Sequence, residues 1–77
     1  MTKGIVLVQL MPGEEKNTIS KISKIKGVKK VSGVFGSWDA ILEVESKTVE
    51  ELAHLIVSKI RKLQGVANTE TLIEVKL

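Results

Sequence analysis

Val28-Lys29-Lys30-Val31-Ser32-Gly33-Val34-Phe35-Gly36-Ser37-Trp38-Asp39-Ala40-Ile41-Leu42-Glu43-Val44-Glu45 reads as two β-strands joined by a four-residue turn. Val28–Phe35 and Ala40–Glu45 carry the β-branched and aliphatic residues, and Gly36-Ser37-Trp38-Asp39 breaks them with turn formers. The turn holds the only tryptophan, with a carboxylate beside it. A turn exposes backbone N–H groups, so an aromatic wall with one charge there suits a small ligand.

Outward from this hairpin, each flank pairs one helix with one strand. Upstream, Gly4 to Met11 reads as a strand apolar on both faces, with Ile5 and Leu7 on one and Val6, Val8 and Leu10 on the other. Pro12-Gly13 stops it. Glu14 and Glu15 open a helix, where negative charge suits the positive end of the dipole. Ile19, Ile22 and Ile25 form its apolar stripe, Lys24 and Lys26 stand in its last turn, and Gly27 is placed as a left-handed C-cap. Downstream, Thr48-Val49-Glu50-Glu51 has capping-box spacing. Leu52, Leu55, Ile56, Val57, Ile60 and Leu63 then mark a second amphipathic helix. Gln64-Gly65 ends it, and Val66 to about Val75 is the last strand.

The order β-α-β-β-α-β repeats weakly at an offset of 38 residues: Ile22 maps to Ile60, Ile25 to Leu63, Gly27 to Gly65 and Val28 to Val66. Two right-handed split β-α-β units interleave into a four-stranded antiparallel sheet with both helices on one face. The predicted fold is therefore the α+β ferredoxin-like plait, with residues 1–77 as one domain. An antiparallel sheet with a solvated face should alternate apolar and polar residues. The first strand does not, so the open sheet face is expected to pair with a second copy in a two-fold dimer.

Composition points the same way. A 77-residue chain buries only about 60–65% of its unfolded surface and is marginal alone. With no cysteine and a single histidine, neither disulfides nor a structural metal is expected to help, which leaves oligomerisation. The hydrophobic share of 43% excludes disorder as the default. Ile5–Val8 is too short to span a bilayer, and Met1-Thr2-Lys3 does not open a signal peptide, so a cytoplasmic location without membrane contact is expected. Abundant Lys, Glu and Ile without cysteine suggest a thermophilic source.

Net charge is +3, but eleven of the twelve basic residues are lysines scattered among glutamates. Base readers use arginine forks and stacking aromatics. One Arg and two aromatics, both flanking the central turn, make direct nucleic-acid contact an unsuitable reading. Catalysis is also not expected: His54 lies off the apolar stripe of its helix and has no Cys, Tyr or second His to work with. No cofactor motif occurs; the segment after strand one is Met11-Pro12-Gly13, without the Cys-x-x-Cys of metal-carrying plaits.

The turn admits two readings. In one, Gly36 supplies an unusual φ, Asp39 is a solvated or turn-capping carboxylate, and Trp38 packs at a dimer edge. In the other, Asp39 pairs with a ligand ammonium, the Gly36 and Ser37 amides receive a carboxylate, and Trp38 forms a wall.

Gly27-Val28, Gly36-Ser37-Trp38-Asp39 and Gly65-Val66 followed by Asn68-Thr69-Glu70-Thr71-Leu72 together resemble the Lrp/AsnC family. They resemble its C-terminal effector (RAM) domain, which has an x-Gly-Val helix end, a Gly-x-Tyr/Trp-Asp turn and a final strand with Thr-x-Thr. The resemblance runs from the opening strand through Val75. It implies a stand-alone effector domain without the family's helix-turn-helix. It further implies homodimers joined through their sheets, an octameric ring of dimers, an amino-acid effector between subunits, and full-length Lrp/AsnC regulators as partners. By resemblance Gly36, Ser37, Trp38 and Asp39 supply the turn side of the pocket, with Asp39 on the ammonium. Thr69 and Thr71, two apart and so on one sheet face, contact the carboxylate from the last strand. Trp38 or Phe35 touches the ligand side chain. Two other readings stand beside it. Met11-Pro12-Gly13 resembles the Pro-Gly loop of ACT domains, which also bind amino acids, and a pure assembly module would join full-length regulators with no ligand of its own.

Overall fold

A computed structural model describes all 77 residues. It contains β1 (Thr2–Leu10), α1 (Glu15–Ser23), β2 (Val28–Gly33), β3 (Ala40–Ser46), α2 (Val49–Leu55) and β4 (Val66–Ile73). A π-helical turn, Ile56–Ile60, extends α2. The strands form one antiparallel sheet in the order β2-β3-β1-β4, which is the ferredoxin-like plait. No helix is long and apolar enough to cross a membrane.

Strand alternation divides the sheet into two faces. On the helix-covered face lie Val6, Val8 and Leu10 of β1 and Ala40, Leu42 and Val44 of β3. They pack with Ile22, Leu52, Ile56 and Ile60 into one buried cluster. Burying each such side chain stabilises the fold by about 1.5–3 kcal/mol. The apolar residues of the opposite face, Ile5, Leu7, Ile41 and Leu72, have no helix over them.

The offset of 38 residues is a structural repeat. The Ile25 N–H donates to the Ile22 carbonyl and the Val28 N–H to the Ile25 carbonyl; Leu63 to Ile60 and Val66 to Leu63 repeat both bonds. These tight i→i+3 bonds end each helix early. α1 stops at Ser23, so Gly27 does not cap it directly as the spacing predicts, but opens β2. Gly27 and Gly65 share one conformation (φ +102° and +103°), and each lies against the other half's helix. A Cβ on Gly27 would stand 2.8 Å from Leu55 Cδ2, and one on Gly65 would overlap the Thr18 hydroxyl.

Three further boundaries differ from the sequence expectation. β2 pairs with β3 only as far as Gly33, although Val34 still donates one N–H across to the Asp39 carbonyl, and Phe35 is fully exposed. The second helix leaves α geometry after Leu55, although Ile56 and Ile60 remain in the core. β4 stops at Ile73, the register partner of Gly4, and only the Glu74 N–H reaches one bond further, to the Lys3 carbonyl. The Thr48 hydroxyl accepts from the Glu51 N–H, as the capping box requires.

Candidate functional site

Asp39 is held by three hydrogen bonds. Its N–H donates to the Val8 carbonyl (2.8 Å) and its carbonyl accepts from Val34 N–H (2.9 Å). Its Oδ2 accepts from the Leu10 N–H (2.8 Å). The reason lies at the end of β1: Leu10 stands past the last β1–β3 pair, Val8–Ala40. Its amide therefore has no backbone partner across the sheet, and the carboxylate supplies one. Gln9 adds a second tie, its Nε2 donating to the Ser37 carbonyl (2.8 Å). An ionised carboxylate has about four acceptor positions, so this single bond leaves most of its capacity unused.

The rest of the turn points away from the fold. Gly36 has φ +142°, the unusual conformation expected of it. The N–H groups of Gly36, Ser37 and Trp38 donate to nothing in the chain. Trp38 is half-buried, whereas Phe35, Gly36 and Ser37 are exposed. The turn thus presents three successive free donors next to a positioned carboxylate and an indole.

Thr69 and Thr71 lie elsewhere. Their register partners in β1 are Val8 and Val6, which puts both on the helix-covered face. There, with Ala53, Ile56, Val57, Arg61 and Ile73, they line a groove of about 350 Å³ between β4 and the second helix. No residue of the turn lines that groove. β1 separates β3 from β4, so two strand spacings, about 10 Å, divide the turn from Thr69. Within one chain the turn and the two threonines are not opposite walls of one cavity.

Sequence reasoning misses the groove. Val57 counts there as a core residue, yet half of it is exposed at the groove. Arg61 disappears into the general surface charge, although its being the chain's one arginine is a signal that sets it apart from eleven lysines.

On the open face the registers build a small grid. Ser32, Ile41, Leu7 and Glu70 form one row; Lys30, Glu43, Ile5 and Leu72 form the next. Ile5 (41% exposed) and Leu72 (51%) are cross-strand partners that border a depression of about 480 Å³, with Lys3, Glu43, Glu45 and Glu74 around it. Lys30 and Glu43 form the chain's single ion pair, at 4.0 Å and exposed. His54 is exposed on α2, and no three His, Cys, Asp or Glu side chains converge.

Comparison with known proteins resolves the family. Residues 3–76 match the model of the Lrp/AsnC ligand binding domain. An uncharacterized HTH-type transcriptional regulator of Pyrococcus furiosus is 33% identical over 75 residues, covering 94% of this chain and 50% of the relative. The chain therefore spans about half the length of that regulator. The crystal structure of FFRP-DM1 superposes with a TM-score of 0.93 at 31% identity, over 97% of this chain and 100% of that one. TTHA0845 from Thermus thermophilus gives 0.93 at 30% identity, over 100% and 96% of the two chains. By this match over nearly its whole length, the chain belongs to the Lrp/AsnC ligand-binding domain family.

Proposed function

We propose that this domain is a non-catalytic effector and assembly module that binds a small amino acid between two copies of itself. The observation that carries the reading is the turn. Asp39 is anchored through Oδ2 alone, its Oδ1 is unpartnered, and three free N–H groups lie beside it. A carboxylate fixed in place with acceptor capacity left suits an ammonium group, and a charge-assisted bond of this kind contributes about 1.5–3 kcal/mol. Because Thr69 and Thr71 belong to a different cavity, the two halves of the site come from different subunits in this reading. A regulator of Neisseria meningitidis, NMB0573, shares the fold at 13% identity (TM-score 0.85) and forms an L-Met complex. That protein makes an amino acid a reasonable class of ligand here.

The exposed pair Ile5–Leu72, with Leu7 and Ile41 beside it, supports dimerisation through the open sheet face. Covering apolar surface contributes about 25 cal/mol per Å². Mixed dimers with helix-turn-helix regulators follow from the same self-complementary surface, whereas a ring of dimers uses a second surface, since a two-fold interface closes on itself. Titrating the protein with each of the twenty amino acids, followed by Trp38 fluorescence and calorimetry, tests the effector reading. A saturable response to at least one is expected. A flat response to all at millimolar concentration overturns it and, if the dimer persists in size-exclusion with light scattering, leaves an assembly module.

A further inference from the structure

We propose that the side of the molecule formed by α1 and β2 docks on the phosphate backbone of double-stranded DNA, without regard to base sequence. This surface lies outside the effector reading and does not depend on it. Its basis is the way charge is distributed along the chain and where the fold puts it.

From Lys16 to Trp38 the chain holds six lysines, Lys16, Lys21, Lys24, Lys26, Lys29 and Lys30, and no Asp or Glu. That segment carries +6. The other residues hold six basic and nine acidic groups, a net −3, so the modest total of +3 hides a strong separation. α1 packs on β2, the outer strand of the sheet, and the fold thereby gathers the six on one side. All six are exposed. Lys30 alone has a carboxylate in reach, that of Glu43 at 4.0 Å, which leaves five ammonium groups unpaired. Local stability accounts for some of them: Lys24 and Lys26 suit the negative end of α1, and lysines on β2 guard a sheet edge. It does not account for Lys16, which stands in the first turn of α1, at the positive end of the dipole.

The rest of the surface selects the partner. Asn17 and Ser20 are exposed among the lysines of α1, and no exposed apolar or aromatic side chain lies between Lys16 and Lys30. A protein interface needs an apolar or aromatic core, a membrane surface needs apolar side chains to insert, and a single strand needs aromatic rings to stack on. A duplex backbone needs none of these. Lysine meets phosphate as a point charge, and Ser and Asn are further phosphate donors. The lack of arginine forks excludes base readout and leaves backbone contact intact. The nine residues of α1 extend about 14 Å, the length of about four phosphates along one strand.

The test is fluorescence anisotropy of the full chain with two fluorescein-labelled duplexes of about 20 base pairs and unrelated sequence, at salt from about 20 to 200 mM. Expected are affinities for the two within about twofold of each other, and a slope of log K against log salt of about −3 to −4.5. Lys21→Gln combined with Lys24→Gln should flatten that slope by about 2 and weaken low-salt binding at least about fivefold. Lys59→Gln combined with Lys76→Gln removes the same charge from exposed positions outside the surface and should leave the affinity within about twofold. All four lysines are exposed, so neither double variant threatens folding. Absence of binding at the low-salt end overturns the inference. So does equal weakening by the two double variants, which would reduce the attraction to net charge. Displacement of the duplex by poly-L-glutamate at equal charge overturns the phosphate assignment in favour of an acidic protein. The amino-acid titration stands or falls separately from each of these results.

Discussion

Asp39 Oδ2 accepts the Leu10 N–H at 2.8 Å, so the residue that marks the turn is also the tie between that turn and the end of β1. In the effector reading a fold role and a ligand role share one carboxylate, and they can be separated. Asp39→Ala leaves a half-buried amide without a partner and should destabilise the domain by about 1–3 kcal/mol. Asp39→Asn keeps an amide oxygen for Leu10 and should cost less than about 1 kcal/mol, while removing the charge an ammonium needs. Urea unfolding with an amino-acid titration reads both effects. If Asp39→Asn bound amino acids as the wild type does, Asp39 would be structural only.

Gly65 and Thr18 give a second prediction. Gly65→Ala forces a side chain into a left-handed conformation and against the buried Thr18 hydroxyl. The backbone strain alone is about 1–2 kcal/mol, and the overlap adds to it. Thr18→Ala in the Gly65→Ala background should return the overlap part and leave the backbone part. The double-mutant cycle should therefore show coupling of about 1 kcal/mol. Additive effects in urea denaturation would mean that the two residues do not touch.

That contact also shows what is legible in the sequence. The repeat at 38 residues announces that both helices end alike, and the bonds at Ile22, Ile25, Ile60 and Leu63 are the same pair twice. β1 is apolar on both sides, so alternation does not say which set meets the helices; the structure puts Val6, Val8 and Leu10 there. In β4 the same rule is silent. Thr69, Thr71 and Ile73 on one side are as mixed as Glu70 and Leu72 on the other, so only pairing with β1 decides which side meets the helices. The partner of Asp39 is hidden for a related reason: it depends on where β1–β3 pairing stops, at Val8, about thirty residues away in the chain. The π turn has no local sequence mark at all, because Ile56 and Ile60 keep helical spacing in either geometry.

The open face gives a third prediction. Ile5 and Leu72 face each other across β1 and β4, and both are substantially exposed. Leu72→Lys removes little from the helix-covered core, and Glu70 and Glu74 stand two residues to either side of it along the chain. The monomer should keep its circular dichroism spectrum. If the open face is the dimer interface, as proposed, the dimer should dissociate, because a two-fold interface places each substitution in the contact twice. Light scattering distinguishes the outcomes, and a Leu72→Lys protein that stayed dimeric would move the interface to another surface.

Phe35 gives the last. It is fully exposed at the hairpin tip and packs on nothing in its own chain. Exposed side chains of this kind leave stability within about 0.5 kcal/mol when truncated, so Phe35→Ala should unfold at the wild-type urea midpoint. We propose that this aromatic, held in water by a turn that Asp39 and Gln9 tie to β1, meets something outside the chain. In the effector reading that is the amino-acid side chain or the subunit that completes its pocket. Phe35→Ala should then weaken amino-acid binding or assembly while Leu72→Lys affects the sheet dimer alone. Unchanged binding and unchanged assembly together would reduce Phe35 to an ornament of the turn and confine the ligand's contacts to Trp38 and Asp39.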